Sequence, residues 1–400
     1  MGNVQQFHDT IIGLQPINLF DFQEAIPELQ LLAQCNQSPP HHQEGSVLVH
    51  TNMTMQIVLQ LIEAERVEKK EDQVILYLSA LLHDWGKPAV SVFNPKKNKI
   101  TAYGHDAVGV PLANEFLKKY FPEFPYKGRE RILRLIENHM SPRRWMAEGT
   151  TVNKMKMLSL ATNTKLLYLL SQADTLGRKA ADMRTGMMAL ELFKQECQDI
   201  GIWDRQYRVP LATHLDNASY SLARWNILIN DAPESAETYD AAKELMYKPI
   251  PPFQLMLLVG PPAAGKSTTR EQLQKQYPNL KVICMDEKRK ELCGNPNDQS
   301  KNAQVFGWQE HELREAMKAR QNTLIDATNI NRRFLKNLWH IAREAGALCS
   351  AIYFDISLET LLERNAKREK RVPDDIVKRF YNMQQSIMPW EADMIHVIDH

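Results

Sequence analysis

Apolar residues recur at three- and four-residue spacing over Val47 to Ala64, Gln73 to Leu82, Val108 to Lys119, Glu130 to Met140 and Asn163 to Ala173. This periodicity predicts a succession of helices, with no convincing alternating strand before roughly residue 230. From Phe253 the texture changes. Short apolar runs, QLMLLV, KVICM, TLID and CSAIYF, alternate with longer amphipathic stretches. Strands alternating with helices predict a parallel sheet covered on both faces. The proline-bearing stretch from Asp231 to Pro252 loses the periodicity and reads as a linker. The expected architecture is two domains: an all-α domain over 1–235, a linker over 236–252, and an α/β domain with a parallel sheet over 253–400. The stretch from Ala180 to Asn230 reads as mostly helical, an extension of the first domain or a contact for a substrate strand.

Composition narrows the class without changing this picture. The 400 residues are 44% hydrophobic and 24% charged, an ordinary globular balance. Apolar runs such as Leu255 to Val259 are too short to cross a bilayer, and MGNVQQFHDT lacks the pattern of a secretory signal. Five widely spaced cysteines with no CxxC fit reduced thiols and a cytoplasmic location. The net charge of +1 divides unevenly: from Lys248 onward the chain carries +4, and the part before it −3. That excess suits a polyanionic substrate held locally rather than a nucleic-acid coat.

GPPAAGKS, from Gly260 to Ser267, meets GxxxxGK[ST] and lies between a predicted strand and a predicted helix. By chance the pattern recurs in on the order of one chain of this length in a hundred, before that context is considered. The glycines, Gly260 and Gly265, let backbone N–H groups wrap phosphates at a helix N-terminus. Lys266 would reach the β- and γ-phosphates, and Ser267, followed by Thr268, would ligate Mg²⁺. An NTP such as ATP or GTP, with Mg²⁺, is therefore the expected donor. The next strand leads into MDEKR, where Asp286 is suited to take a proton from an attacking hydroxyl. Arg289, three residues on, could grip a phosphate bidentately. Asp326, in DATN, is placed to orient Arg289 or a magnesium-bound water. Arg364 and Arg368, four apart, are expected on one helix face, stabilising the transferring phosphoryl group.

GPPAAGKS, MDEKR, DATN and RNAKR, in this order, resemble a polynucleotide 5′-hydroxyl kinase of the end-healing type, across roughly residues 250 to 400. The resemblance makes Asp286 the general base and gives Arg289 the acceptor's 3′-side phosphate. It sets Asp326 at the acceptor site and makes Arg368 the lid arginine, with Arg364 and Arg371 beside it.

A second constellation precedes the first. His83-Asp84 ends the apolar run ILYLSALL, where ionisable groups are costly unless paired or metal-bound. His50, His139 and Asp174 stand on the apolar faces of their predicted helices, and His105 opens another. One inward histidine is more often a satisfied core residue than a ligand; several on separate helices shift that balance. Imidazole and carboxylate together suit Mn, Fe, Co, Ni or Zn. The motifs LLHDWGK, YGHD, ENHM and QADTLGR resemble the HD phosphohydrolase superfamily across roughly residues 45 to 180. By that resemblance His50, His83, Asp84 and Asp174 hold one metal. His105 and His139 hold a second, bridged by Asp84. Lys87 is a candidate for the substrate phosphate, with Arg178 assisting. His41-His42 fits no part of the pattern and reads as surface loop.

Together the two halves resemble the bacterial HD-domain polynucleotide kinases. The implied activity is end healing of RNA or DNA: removal of a 3′- or 2′,3′-cyclic phosphate and phosphorylation of a 5′-hydroxyl, with a ligase acting in trans and no membrane involved. Two other readings remain open at this point. One is a nucleoside or small-molecule kinase fused to a nucleotide phosphohydrolase. The other is a kinase regulated by an HD sensor that binds without cleaving.

Overall fold

The computed structural model describes residues 2–38, 45–178, 180, 183–204, 252–295, 298–388 and 391–399. The chain divides into two compact units, Met1–Arg208 and Val209–His400. His41-His42 and nearly all of the expected linker lie outside the described residues.

In the first unit the described helices are α1 Val4–Ile12, α2 Glu28–Gln34, α3 Val47–Ala64, α4 Lys70–Leu82, α5 Lys87–Val90, α6 His105–Tyr120, α7 Tyr126–Asn138, α8 Ser141–Glu148, α9 Val152–Ala161, α10 Thr164–Leu176 and α11 Met183–Asp199. α4 is the central one. Every residue from Val74 to Leu82 is buried, so the helix is apolar all round and needs neighbours on every side. It packs against α3, α7 and α10. Local signals set the flanking helices: the Ser46 side chain caps α3 and that of Asn163 caps α10. The predicted Glu130 to Met140 helix ends sooner, at Asn138, because Ser141-Pro142 starts a new one.

Contrary to the sequence reading, this unit also holds strands. Val92–Asn94 (β1) and Lys99–Thr101 (β2) pair antiparallel between α5 and α6. Each is three residues long, and Val92 and Phe93 are both exposed, so no apolar–polar alternation marked them.

The second unit is the expected parallel sheet. β3 (Gln254–Val259), β4 (Lys281–Cys284), β5 (Thr323–Asp326), β6 (Leu348–Phe354) and β7 (Met394–Ile398) lie in the order β4-β5-β3-β6-β7, and every pairing is parallel. β3 and β6 are the buried centre. β4 stops at Cys284, and Met285 already belongs to the helix Met285–Cys293. β7 escaped the sequence reading because it is a half-exposed edge strand.

One glycine fixes the geometry near the histidines. A Cβ on Gly86 would fall 2.1 Å from His105 O and 2.6 Å from Gly109 N, both backbone atoms. Gly86→Ala is therefore expected to push α6 away, destabilising the first unit by about 1–3 kcal/mol. Thermal unfolding of the variant checks this.

Candidate active sites

The six histidine and aspartate positions converge in the first unit. α3 supplies His50. The C-terminal end of α4 supplies His83 and Asp84, the start of α6 His105, the end of α7 His139, and α10 Asp174. All six are buried. His50 Nε2 lies 3.2 Å from His83 Nε2 and 3.1 Å from Asp174 Oδ1. His105 Nε2 lies 3.3 Å from His139 Nε2. Asp84 stands between the two groups. Its Oδ2 is 3.5 Å from His50 Nε2 and 3.3 Å from His83 Nε2, and its Oδ1 is 3.3 Å from His105 Nε2.

The opposite side of each imidazole defines the chemistry. Nδ1 of His50, His83, His105 and His139 contacts the backbone carbonyls of Gly177, Ala80, Ala102 and Ile136 at 3.2, 2.8, 2.8 and 2.7 Å. A carbonyl only accepts, so Nδ1 carries the proton and a neutral ring leaves Nε2 as a lone pair. Two such pairs facing at hydrogen-bond distance repel each other unless a cation sits between them. Asp84 Oδ2 is buried without a well-aligned hydrogen bond, although Lys87 Nζ lies 2.6 Å away. The donors divide into His50, His83, Asp174 and Asp84, His105, His139, each set with its ligand atoms within 4.8 Å of one another. Buried imidazole and carboxylate donors of this kind fit divalent transition metals.

Cationic side chains keep the carboxylates ionised. Burial opposes the charge of Asp84, but Lys87 and His83 outweigh it and hold the carboxyl well below its ordinary range. Asp174 is held down in the same way, by Arg143 and His50 against burial. His139 is pushed down to about 3 by burial and by the charges of His105 and His83, which leaves it neutral as a ligand must be. Burial lowers His83, but Asp84 and Asp174 together raise it, so a metal there competes with a proton.

Sequence reasoning missed two partners here. Arg143 Nη2 lies 2.5 Å from Asp174 Oδ2, and Gln37 Oε1 accepts from Lys87 Nζ at 2.6 Å. The spacing of Arg143, four residues after His139, was the available signal. Arg178, expected here from the sequence, has its Nε 3.9 Å from Asp174 Oδ1.

The second site lies along the C-terminal ends of β3, β4 and β5. After β3 the chain turns through the glycine loop into the helix Lys266–Gln276. Gly265 sits at φ 106, a left-handed conformation that suits glycine, and Gly260 packs so closely that a Cβ would lie 2.8 Å from that of Phe354. Lys266 Nζ donates to Gly260 O at 2.9 Å and Pro261 O at 2.7 Å. Burial lowers its pKa to about 8 against the pull of Asp326 and Asp286. Ser267 and Thr268 are exposed at the start of the helix.

Asp286 is in the first turn of the helix after β4, and that helix has no side-chain cap. The Asp286 side chain is 71% exposed and accepts from Arg289 Nη1 at 2.8 Å, while Arg289 Nε lies 3.3 Å from Asn302 Oδ1. Asp326 does not orient Arg289. Its Oδ2 takes Arg270 Nη1 at 3.1 Å, because Arg270 is one turn beyond Lys266 on the phosphate-loop helix and faces β5. Burial raises the Asp326 carboxyl above its ordinary value, with Arg270 opposing. Arg270 also holds Glu287, and its i+4 relation to Lys266 was the overlooked signal.

The segment around Arg364 and Arg368 corrects a second expectation. Arg364 and Arg368 do not share a helix face, since the helix Leu358–Ala366 ends before Arg368. Buried Asn365 ends it by turning the chain: Nδ2 donates to Val372 O at 2.6 Å and Asp374 Oδ1 at 3.0 Å, and Oδ1 accepts from Val372 N at 3.1 Å. Arg364 Nη1 nevertheless reaches Ala264 O of the phosphate loop at 3.5 Å. Arg368 is near enough to disfavour the charge on Lys266. Arg371 is engaged by Asp374 at 2.5 Å.

Comparison with known proteins agrees with this division. The HD domain family matches residues 47–179, and the AAA domain family matches residues 255–387. The chain thus carries an N-terminal HD domain and a C-terminal P-loop kinase-like domain, a combination of enzyme domains using divalent metal and NTP with Mg²⁺. It is 28% identical over 157 residues to a CC-adding tRNA nucleotidyltransferase of Thermus thermophilus, covering 39% of this chain and 33% of that protein. It is 25% identical over 132 residues to an L-seryl-tRNA(Sec) kinase of Methanococcus maripaludis, covering 32% of this chain and 51% of that one. The matches therefore span about a third and about half of those relatives. Among solved structures, the Pnkp1/Rnl/Hen1 RNA repair complex matches with 26% identity and a TM-score of 0.31, over 33% of this chain and 43% of that one. No described helix is long and apolar enough to cross a membrane.

Two outcomes follow from the geometry. Stripping divalent metal with a chelator leaves the facing lone pairs and carboxylates uncompensated, so the unfolding temperature of the first unit falls by several degrees and returns when Mn²⁺ or Zn²⁺ is restored; calorimetry reads both. Asn365→Ala leaves the Val372 amide and carbonyl without their partner, costing about 1–3 kcal/mol. The same change is expected to raise KM for the nucleotide through the displaced Arg368, read by thermal melts and steady-state kinetics.

Proposed function

We propose that the protein heals broken nucleic-acid ends, with an HD phosphoesterase over 1–235 and a polynucleotide 5′-hydroxyl kinase over 253–400, joined by 236–252. The observation that carries the kinase half is the Asp286–Arg289 pair beside the phosphate loop, in which the Asp286 side chain stays 71% exposed while that of Arg289 is only 12% exposed. A carboxylate this exposed gains little stability from its ion pair, so its place at the ligand-facing edge of a parallel sheet favours a role with substrate. A free nucleoside offers Arg289 no phosphate, whereas an internal nucleotide does.

In this reading the 5′-hydroxyl of RNA or DNA approaches the γ-phosphate of ATP, GTP or another NTP. Asp286 takes the hydroxyl proton as the new P–O bond forms. The bond to the β–γ bridging oxygen breaks and the nucleoside diphosphate leaves. Lys266, Arg364 and Arg368 balance the charge on the transferring group, and Thr268 and the loop amides hold the phosphates. Ser267 would be the protein ligand for Mg²⁺. Arg289 fixes the acceptor by its 3′-side phosphate, and Arg270 keeps Asp326 in place at the acceptor edge.

In the HD domain His50, His83, Asp84 and Asp174 would hold one divalent metal, and His105, His139 and the second oxygen of Asp84 another. Two ions so held would supply a water activated for attack and a clamp on the phosphoester oxygens. Lys87, Arg143 and Arg178 bind the 3′- or 2′,3′-cyclic phosphate. A separate ligase would seal the healed ends.

The reading is tested with one preparation and two oligonucleotides. Asp286→Ala and Lys266→Ala abolish labelling of a 5′-hydroxyl end while 3′-phosphate release persists, and Asp84→Ala does the reverse. Failure of the unmodified protein to label any 5′-hydroxyl oligonucleotide would remove the kinase half.

A further inference from the structure

The hairpin β1–β2 has no role in the function proposed above, yet it is built into the HD centre at both ends. It begins directly after α5, which opens with Lys87, and Ser91 N donates to Lys87 O at 2.9 Å. It ends at Thr101, and the next carbonyl, that of Ala102, is the one that contacts His105 Nδ1. Gly104, at φ 75, then turns the chain into α6. Tyr103 is two residues from His105, so their Cα atoms are within about 7 Å.

The surface of this ribbon differs from the rest of its half of the chain. Residues 86–104 contain four lysines, Lys87, Lys96, Lys97 and Lys99, and no Asp or Glu, although the chain before Lys248 carries −3 overall. Phe93 is 61% exposed and Tyr103 68% exposed. Lys96 and Lys97 are exposed on the turn. Lys97 Nζ is 2.8 Å from Tyr103 Oη and 5.3 Å from its ring centroid, which ties the charge to the aromatic face. A two-stranded ribbon with large apolar groups in water gains little from folding alone, so their exposure points to a ligand.

We infer that this hairpin is the binding platform for the single strand leading to the phosphate at the HD centre. Phe93 and Tyr103 stack on bases, and Lys96 and Lys97 neutralise backbone phosphates. Aromatic rings interleaved with lysines match the alternation of bases and phosphates in a single strand. The inference rests on the end-healing reading and deepens it: the phosphoesterase would take a polynucleotide end rather than a free nucleotide.

The test compares a 3′-phosphorylated RNA octamer with a nucleoside 3′-monophosphate in the metal-loaded full chain. Phe93→Ala and Tyr103→Ala each lower kcat/KM on the octamer by about tenfold. Lys96→Ala/Lys97→Ala makes the salt dependence of octamer binding shallower by about 1.4 in log–log slope. Activity on the monophosphate and the unfolding temperature stay the same in all three, because the substituted residues are exposed. Equal losses on both substrates, or none on the octamer, would overturn the inference. Anisotropy of a 5′-fluorescein-labelled, 3′-phosphorylated octamer, whose label blocks the kinase acceptor end, reads the hairpin without turnover. If the protein cleaves no phosphate ester, the end-healing reading fails, while unchanged affinity in the variants still rejects the hairpin.

Discussion

Asp84 is the residue on which the first domain depends. It is a buried carboxylate at the end of α4, whose residues from Val74 to Leu82 are all buried, with one oxygen toward His50 and His83 and the other toward His105. A buried charge is tolerated only where opposite charge compensates it. Lys87 compensates from one side, and the imidazoles and the metals they suit from the other. The carbonyls that hold each Nδ1 are therefore as much a part of the centre as the ligands, because they fix which nitrogen is available. α3, α4, α6, α7 and α10 each deliver one part of the cluster, so the helical packing and the site are one structure.

The phosphate-loop domain works by a different division. Its sheet buries the apolar strands, and the chemistry is left to the loops at their C-terminal ends. Pairing of Cys284 with Asp326 in the sheet brings the Asp286 helix and the DATN loop side by side. Arg270 then ties the phosphate-loop helix to Asp326 at the end of β5. Asn365 performs a similar service after the helix Leu358–Ala366, turning the chain so that Arg364 meets the loop while Arg368 leaves the helix.

The residue types that carry chemistry were legible because they violate the local pattern. A His-Asp pair after a run of nine residues that is apolar but for Ser79, or glycines before Lys-Ser, stands out in the chain. The partners were not legible. Arg143, Arg270 and Gln37 act across long separations; Arg143 and Arg270 carry only the weak signal of standing four residues after His139 and Lys266, and Gln37 carries none. Helical periodicity failed at Arg364 and Arg368 because a buried asparagine overrode it. It also had no purchase on β1, β2 and β7, which are too short or too exposed to show an alternation.

End healing by this chain requires that one protein repair both kinds of end on the same substrate class. The direct measurement supplies an RNA with a 5′-hydroxyl and a 2′,3′-cyclic phosphate, together with NTP, Mg²⁺ and a transition metal, and maps the two termini of the product separately. The expected product carries a 5′-monophosphate at one end and a phosphate-free 3′ end at the other. Phosphate transfer confined to free nucleosides, with the 3′ end of the RNA untouched, would contradict it.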